Sequence, residues 1–240
     1  MQGRKLKVAS YNIHKGVGLD RRRDPDRILT ILREIDADVI ALQEADRRFG
    51  LREAVIPRAT LDDHSPWIVA DLGHYDSART AASLGWHGNA LLVRRGIEIV
   101  DACAVPLPTL EPRGAVCVTL RIGDALLRVV GMHLDLSGLR RRQQVRAVCD
   151  HVGSYETAGH AVMMGDLNEW SVSAGALSAF APPLRVLAPG RSFPARRPLA
   201  QLDRIVVSEA VTVEASGVHH SALAAVGSDH LPVWAALNLP

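Results

Sequence analysis

Cysteine is scarce in this chain, with three residues (Cys103, Cys117 and Cys149) among 240. Their odd number, their wide spacing and the lack of any Cys-x-x-Cys argue against a disulfide framework and against a zinc site. Cys117 lies in an apolar, strand-like run and is expected to be a small buried hydrophobe. Aromatic residues make up only 4%, and no aromatic hairpin suited to entering a bilayer stands out. No apolar run approaches the roughly 18 residues that span a membrane. The basic segment Met1 to Lys7 lacks an apolar stretch before Tyr11-Asn12, so no secretory signal is read. A cytoplasmic protein is the expectation. A large charge excess is missing too: the formal net charge is +2. Without a long basic groove, tight duplex binding lacks the many Lys and Arg contacts from which it draws affinity. The local clusters Arg21-Arg22-Arg23, Arg47-Arg48 and Arg140-Arg141-Arg142 read as solvated loops and helix faces. With no repeat, low-complexity tract or linker, residues 1–240 read as a single domain. A monomer with no obligate protein partner is expected.

Several signatures of common enzymes are absent. Gly16-Val17-Gly18 follows the first strand, yet Arg21 stands at the third position of G-x-G-x-x-G. No G-x-x-x-x-G-K-[ST], G-x-S-x-G or H-E-x-x-H occurs, so dinucleotide, P-loop, nucleophile-elbow and zincin chemistry all lose ground.

What is present is an alternation of helices and strands. Leu6 to Tyr11 reads as a strand ending at Asn12. Asp24-Pro25 reads as an N-cap and first helical position, followed by the apolar face Ile28, Leu29, Leu32 and Ile35. Val39 to Leu42 is a short, wholly apolar strand ending at Gln43-Glu44. Pro66 to Leu72 reads as a helix stopped by Gly73, with one strand near Tyr75. Asn89 to Arg94 and Ile97 to Ala104 read as strands joined by a tight turn at Arg95-Gly96. Ala115 to Ile122 and Leu126 to Met132 read as a hairpin turning at Gly123-Asp124. Gly138 to Gly153 reads as a helix with Val145, Val148, Cys149 and Val152 inward and its arginines outward. Ser171 to Phe180 reads as helical, and Leu202 to Val207, Val211 to Val218 and Leu231 to Leu239 as late strands. This pattern argues for α/β layers with mixed sheets.

The polar residues at the strand ends carry the functional argument. Gly165-Asp166-Leu167-Asn168 follows one apolar run, and Ser228-Asp229-His230 precedes another. Either string alone is explained as a turn. Together, Asn12, Glu44, His133 and Asp166 fall at carboxyl ends of strands, and Asp203, Asp229 and His230 at beginnings. If the late strands run antiparallel to the early ones, all of these residues meet on one rim. Carboxylates, amides and imidazoles there would bind a hard cation, orient water and move protons.

With Ser10-Tyr11-Asn12, Leu42-Gln43-Glu44, Gly88-Asn89-Ala90, Glu111-Pro112-Arg113-Gly114, His133-Leu134, Gly165 to Asn168, Leu202-Asp203-Arg204 and Ser228 to His230 in this order, the chain resembles the endonuclease/exonuclease/phosphatase family of metal-dependent phosphohydrolases. The resemblance implies a four-layer α/β sandwich, with two packed mixed β-sheets flanked by helices. It implies Mg2+ or Mn2+ held by Glu44 with Asn12 and Asp229, and a catalytic set of His133, Asp166, Asn168, Asp203 and His230. In that set His230 acts as acid or base, and Asp203 accepts from its imidazole. Asp166 orients or deprotonates water, Asn168 donates to phosphoryl oxygens, and His133 contacts the phosphate. Asp229 alternatively orients His230. Arg113 and Asn89 are implied as substrate-binding, Arg113 steadying Glu44 or meeting the phosphate; His14 and Lys15 read as a substrate-contacting loop.

The activity implied is phosphodiester hydrolysis on nucleic acid or on a phospholipid or other small phosphoester. His133 stands where the family's abasic-site endonucleases have tyrosine, which turns the reading away from repair. A catalytically inactive binding module is the alternative, but each position it would be expected to lose is filled.

Overall fold

The computed structural model describes residues 4–47, 53–72, 83–109, 113–155 and 159–240. The first half builds β1 (Arg4–Asn12), α1 (Pro25–Ile35), β2 (Val39–Gln43), α2 (Arg58–His64), β3 (Trp67–Val69), β4 (Ala90–Arg94) and β5 (Glu98–Val105). Then come β6 (Gly114–Ile122), β7 (Ala125–His133), α3 (Gly138–Gly153), β8 (His160–Asp166), β9 (Leu184–Leu187), β10 (Asp203–Ser208), β11 (Thr212–Val218), the short α4 (Ala224–Gly227) and β12 (Val233–Leu239).

The strands form two six-stranded sheets, ordered β11-β12-β1-β2-β4-β3 and β5-β6-β7-β8-β10-β9. Each sheet has one parallel pair at its centre, β1 with β2 and β7 with β8, flanked on both sides by antiparallel neighbours. The two sheets thus repeat one pattern of strand directions, although no sequence repeat announces it.

The buried apolar residues separate into layers. Val8, Val39 and Leu91 of the first sheet meet Val116, Val129, Val162 and Ile205 of the second between the sheets. Ile28, Ile31, Leu32 and Ile35 of α1 cover the outer face of the first sheet, against Tyr11, Ile40 and Leu42. Val145 and Val148 of α3 cover the second, against Cys117, Val130 and Met163. The result is the expected helix–sheet–sheet–helix sandwich. Gly131 lets the sheets approach closely: a Cβ there would lie 3.0 Å from the Ala41 Cβ.

Local sequence explains most elements. Asp24 Oδ1 accepts from the Arg27 N–H at 3.0 Å, and Pro25 occupies the first helical position of α1. Such a cap contributes about 1 kcal/mol. The hairpin β6–β7 turns at Gly123-Asp124 as read.

Four expectations are corrected. Pro66 to Leu72 is not a helix: Trp67 to Val69 pairs with β4 at the sheet edge, burying Trp67 and Val69 on one face. Ser171 to Phe180 forms only a 3-10 turn, Gly175–Ala179, since Gly175 sits at φ +66° and interrupts a helix there. β4 and β5 are joined at Arg95-Gly96 but do not pair; the turn carries the chain from one sheet to the other. Arg141 points inward rather than to solvent, where it meets Glu169 at 3.3 Å. The strand expected near Tyr75 falls outside the described residues. β9, four residues at a sheet edge, was not anticipated.

Candidate active site

The central parallel pairs of both sheets end on the same rim. Asn12 closes β1 and Glu44 follows β2; His133 closes β7 and Asp166 closes β8. The antiparallel neighbours begin there, with Asp203 at the start of β10 and Asp229-His230 just before β12. The late strands do run antiparallel, to β8 and β1 respectively. In the second sheet, His133, Asp166 and Asp203 stand opposite one another in a single cross-strand row. Residues in such a row project to the same face.

Asp166 is the hub, and it is buried. Its Oδ2 accepts from the Asn12 amide at 3.0 Å, a bond between the two sheets. The same oxygen lies 3.4 Å from His133 Nε2 and 3.5 Å from His230 Nε2. Its Oδ1 accepts from the Asn168 backbone N–H at 2.9 Å, and the Asn168 side chain donates to the Leu134 carbonyl at 2.9 Å. Behind His230, Asp203 is fully buried. Its Oδ2 meets His230 Nδ1 at 2.8 Å and accepts from the Ser192 hydroxyl, while Oδ1 has no partner among the described residues. The Phe193 ring packs 4.8 Å from the His230 ring.

The two imidazoles are driven apart electrically. Burial pushes the His133 pKa down to about 3, and the pull of Asp166 does not reverse it. Burial also acts against charge on His230, but there Asp203 and Asp166 outweigh it and raise the pKa to about 10. At neutral pH one ring is neutral and the other an imidazolium.

A second group lies beside this cluster. Glu44, at φ +52°, is partly exposed, and its carboxylate carries the ammonium of Lys15. Gly88 (φ +78°) brings the 86–89 turn against it; a Cβ there would lie 3.5 Å from the Glu44 Cα. Asp229 is also partly exposed, with Oδ1 4.0 Å from His14 Nδ1. Ser228 donates to the Asn12 carbonyl at 2.7 Å, tying the loop before β12 to the end of β1. Glu44, Asp229 and the Asn12 side-chain amide each offer a hard oxygen. Asp166, Asp203 and His230 hold their ligating atoms within 4.8 Å of one another.

Arg113 sits against His133, with Nη1 2.9 Å from the ring Nδ1. Asn89 is fully buried, and its amide donates to the Trp86 carbonyl at 3.2 Å. Sequence reasoning missed Ser192, which sits in an irregular loop and finds Asp203 only through the fold. It gave Ser228 no role, although the residue belongs to the quoted string.

Comparison with known proteins agrees with this architecture. A protein of Escherichia coli K12 described as the uncharacterized protein YbhP is 28% identical over 253 residues, covering 98% of this chain and 96% of its own. An endonuclease/exonuclease/phosphatase from Bacteroides vulgatus superposes with a TM-score of 0.77 at 18% identity, covering 98% of this chain and 99% of that one. Humanized Danio rerio TDP2 gives 0.73 at 16%, covering 98% and 99%. A mannosyl-6-phosphatase of Bacteroides thetaiotaomicron gives 0.72 at 19%, covering 97% and 99%. No helix among the described residues is long and apolar enough to cross a membrane. A family model matches residues 9–230, nearly the whole span between the first strand and the last, and the chain belongs to the Endonuclease/Exonuclease/phosphatase family.

Proposed function

We propose that this protein is a Mg2+- or Mn2+-dependent phosphodiesterase acting on nucleic acid or a phospholipid. The observation that carries the reading is the buried Asp166 carboxylate between a neutral and a charged imidazole, with Asp203 behind the charged one. Such a group can take a proton from water while a fixed positive charge faces the phosphate.

The partly exposed carboxylates of Glu44 and Asp229, with the buried Asn12 amide oxygen, fit a hard cation that keeps several waters. The Lys15 ammonium on Glu44 is a positive charge resting where that donor set attracts one. The Asp166–Asp203–His230 set fits less well, since His230 Nδ1 is engaged with Asp203 and the ring carries a proton. When bound, the ion polarises the phosphoryl group and neutralises developing charge.

The chain's own residues supply the rest. Asp166 orients the attacking water and accepts its proton. His230, kept charged by Asp203, stabilises the phosphoryl oxygens and gives its Nε2 proton to the departing oxygen. Asn168 has a second amide hydrogen beyond the one given to Leu134, and donates it to a phosphoryl oxygen. Neutral His133, steadied by Arg113, donates to the substrate. Asn12 holds Asp166 across the sheet interface. Support for a diester of nucleic acid comes from a relative, Danio rerio TDP2, crystallised with a single-strand DNA product.

The test is hydrolysis of a small panel: plasmid DNA, RNA, sphingomyelin, phosphatidylglycerol, inositol phosphates and a chromogenic diester. Each is run with Mg2+, Mn2+ or chelator, and with His230→Ala. Chelator-sensitive turnover of one class, lost at least about a hundredfold in the variant, is expected for a general acid. A steep loss with salt would mark nucleic acid. A folded protein that turns over none of these would sink the reading and favour a binding module.

A further inference from the structure

Outside the rim, one cluster of soft donor atoms has no part in the proposed reaction. Cys103 on β5 and Cys117 on β6 stand directly opposite each other in the antiparallel register. His151, in the last turn of α3, brings its Nε2 to 3.6 Å from Cys103 Sγ. Tyr155, just beyond the helix, places its hydroxyl 3.9 Å from the same sulfur and 3.4 Å from His151 Nε2. The ligating atoms of Cys103, Cys117 and His151 all lie within 4.8 Å of one another. Residues well separated in sequence, with no motif spacing, converge because two strands and a helix end meet on the outer face of the second sheet.

We propose that Cys103, Cys117, His151 and Tyr155 form a second metal site, a tetrahedral site for Zn2+ or another thiophilic ion. Two of the separations match a tetrahedron's edges, while Cys103 Sγ to the Tyr155 hydroxyl, at 3.9 Å, is longer. With zinc–sulfur bonds of about 2.3 Å and zinc–nitrogen bonds of about 2.0 Å, the sulfur–nitrogen edge is about 3.5 Å, and Cys103 to His151 measures 3.6 Å. The nitrogen–oxygen edge is about 3.3 Å on the same bond lengths, against 3.4 Å here. Cys117 is buried while Cys103 and His151 are half-buried, so the site is walled on one side and open on the other. The Arg128 guanidinium lies 4.2 Å over the Tyr155 ring and fixes its position. Metal uptake releases the thiol protons, because the thiolate is the ligand. The site stands apart from the rim, three residues or about 10 Å along β6 from Gly114, whose cross-strand partner is His133. Cysteine spacing, which argued against zinc, does not reveal a cluster assembled by strand register.

The test titrates Co2+ into the full-length, tag-free, reduced protein. The expected result is one equivalent giving a sulfur-to-cobalt charge-transfer band and intense tetrahedral d–d bands, both displaced by Zn2+. The oxygen ligands of the rim cannot produce the sulfur band. Cys103→Ser and, separately, half-buried His151→Ala should each weaken binding at least about tenfold. Each should unfold thermally like the wild type without metal. Absence of the sulfur band in the reduced protein would overturn the site. So would a band that survives Cys103→Ser, or a Cys103–Cys117 disulfide on oxidation with no metal uptake on reduction.

Discussion

At the scale of single residues, His133 and His230 approach the same carboxylate yet respond to pH with opposite sign. The folded pKa of His133 is depressed to about 3, so the unfolded chain binds more protons below its ordinary value of 6.5. Its stabilising contribution is present above pH 6.5 and is lost as pH falls toward 3. The folded pKa of His230 is raised to about 10, so its contribution is full below pH 6.5 and is lost as pH rises through 10. Urea unfolding in chelator should therefore show stability falling on both sides. Each group contributes a limiting slope of up to about 1.4 kcal/mol per pH unit. His133→Gln is expected to flatten the acid limb only, and His230→Gln the alkaline limb only. Equal effects of both variants on both limbs would contradict the assignment. The presence of these residues on the rim was legible in the sequence, since strand-end positions follow from apolar runs. The split in their charge was not, because it depends on which imidazole has Asp203 behind it. The Cys103–Cys117 pair was hidden for a related reason: strand register, not spacing, makes them neighbours.

At the scale of elements, the loops leaving β7 and β8 are stapled together by Arg141. Its guanidinium donates to the Leu136 carbonyl at 2.6 Å and pairs with Glu169, whose Oε2 also accepts from the Ala176 N–H at 2.8 Å. Both partners are buried. Arg141→Met is expected to cost about 3 kcal/mol in urea unfolding, by leaving Glu169 buried and unpaired. The stapled loops and the first turn of α3 present Leu136, Leu139, Trp170 and Val172 to solvent. Trp170 is the outer member of a ring series, 6.2 Å from Phe193, which in turn covers His230. Its exposed face suits a nucleobase or an acyl chain. Trp170→Ala should raise KM about tenfold with kcat nearly unchanged, as loss of base stacking would; a change below about twofold would remove Trp170 from substrate contact. The arginine run at 140–142 was read as solvated, and Arg142 is, but helical spacing turns its neighbour Arg141 into the core. Long periodic elements such as α1 and α3 were read to within a residue or two. Short edge strands such as β3 and β9 were missed because three or four residues carry too little periodicity.

At the scale of the whole molecule, the candidate metal ligands come from both ends of the described chain, Asn12 and Glu44 early and Asp229 late. An ion held by them links these segments and binds only the folded state. At a free Mg2+ concentration one hundred times Kd, the fold should gain about 2.7 kcal/mol. Thermal unfolding with and without Mg2+ measures this, and Glu44→Gln should abolish the gain. An undiminished gain in that variant would place the ion elsewhere. Layers with mixed sheets were legible from the order of elements, and the count of four layers came from the resemblance. The matched strand pattern of the two sheets was not, since it resides in direction and pairing rather than in residue identity.

That pattern also sets an order in time. The second sheet is one unbroken stretch, β5 to β10, whereas the first takes β1 to β4 from before it and β11 and β12 from after it. As the chain leaves the ribosome, the second sheet's strands are all made before the first sheet can close. His230 arrives only with the approach to β12, and the β1 edge waits for that strand throughout. A nascent chain therefore carries Asp166 and His133 without the imidazolium beside them. The rim is completed only once the chain has been made through His230, and no shorter intermediate holds its working set of charges.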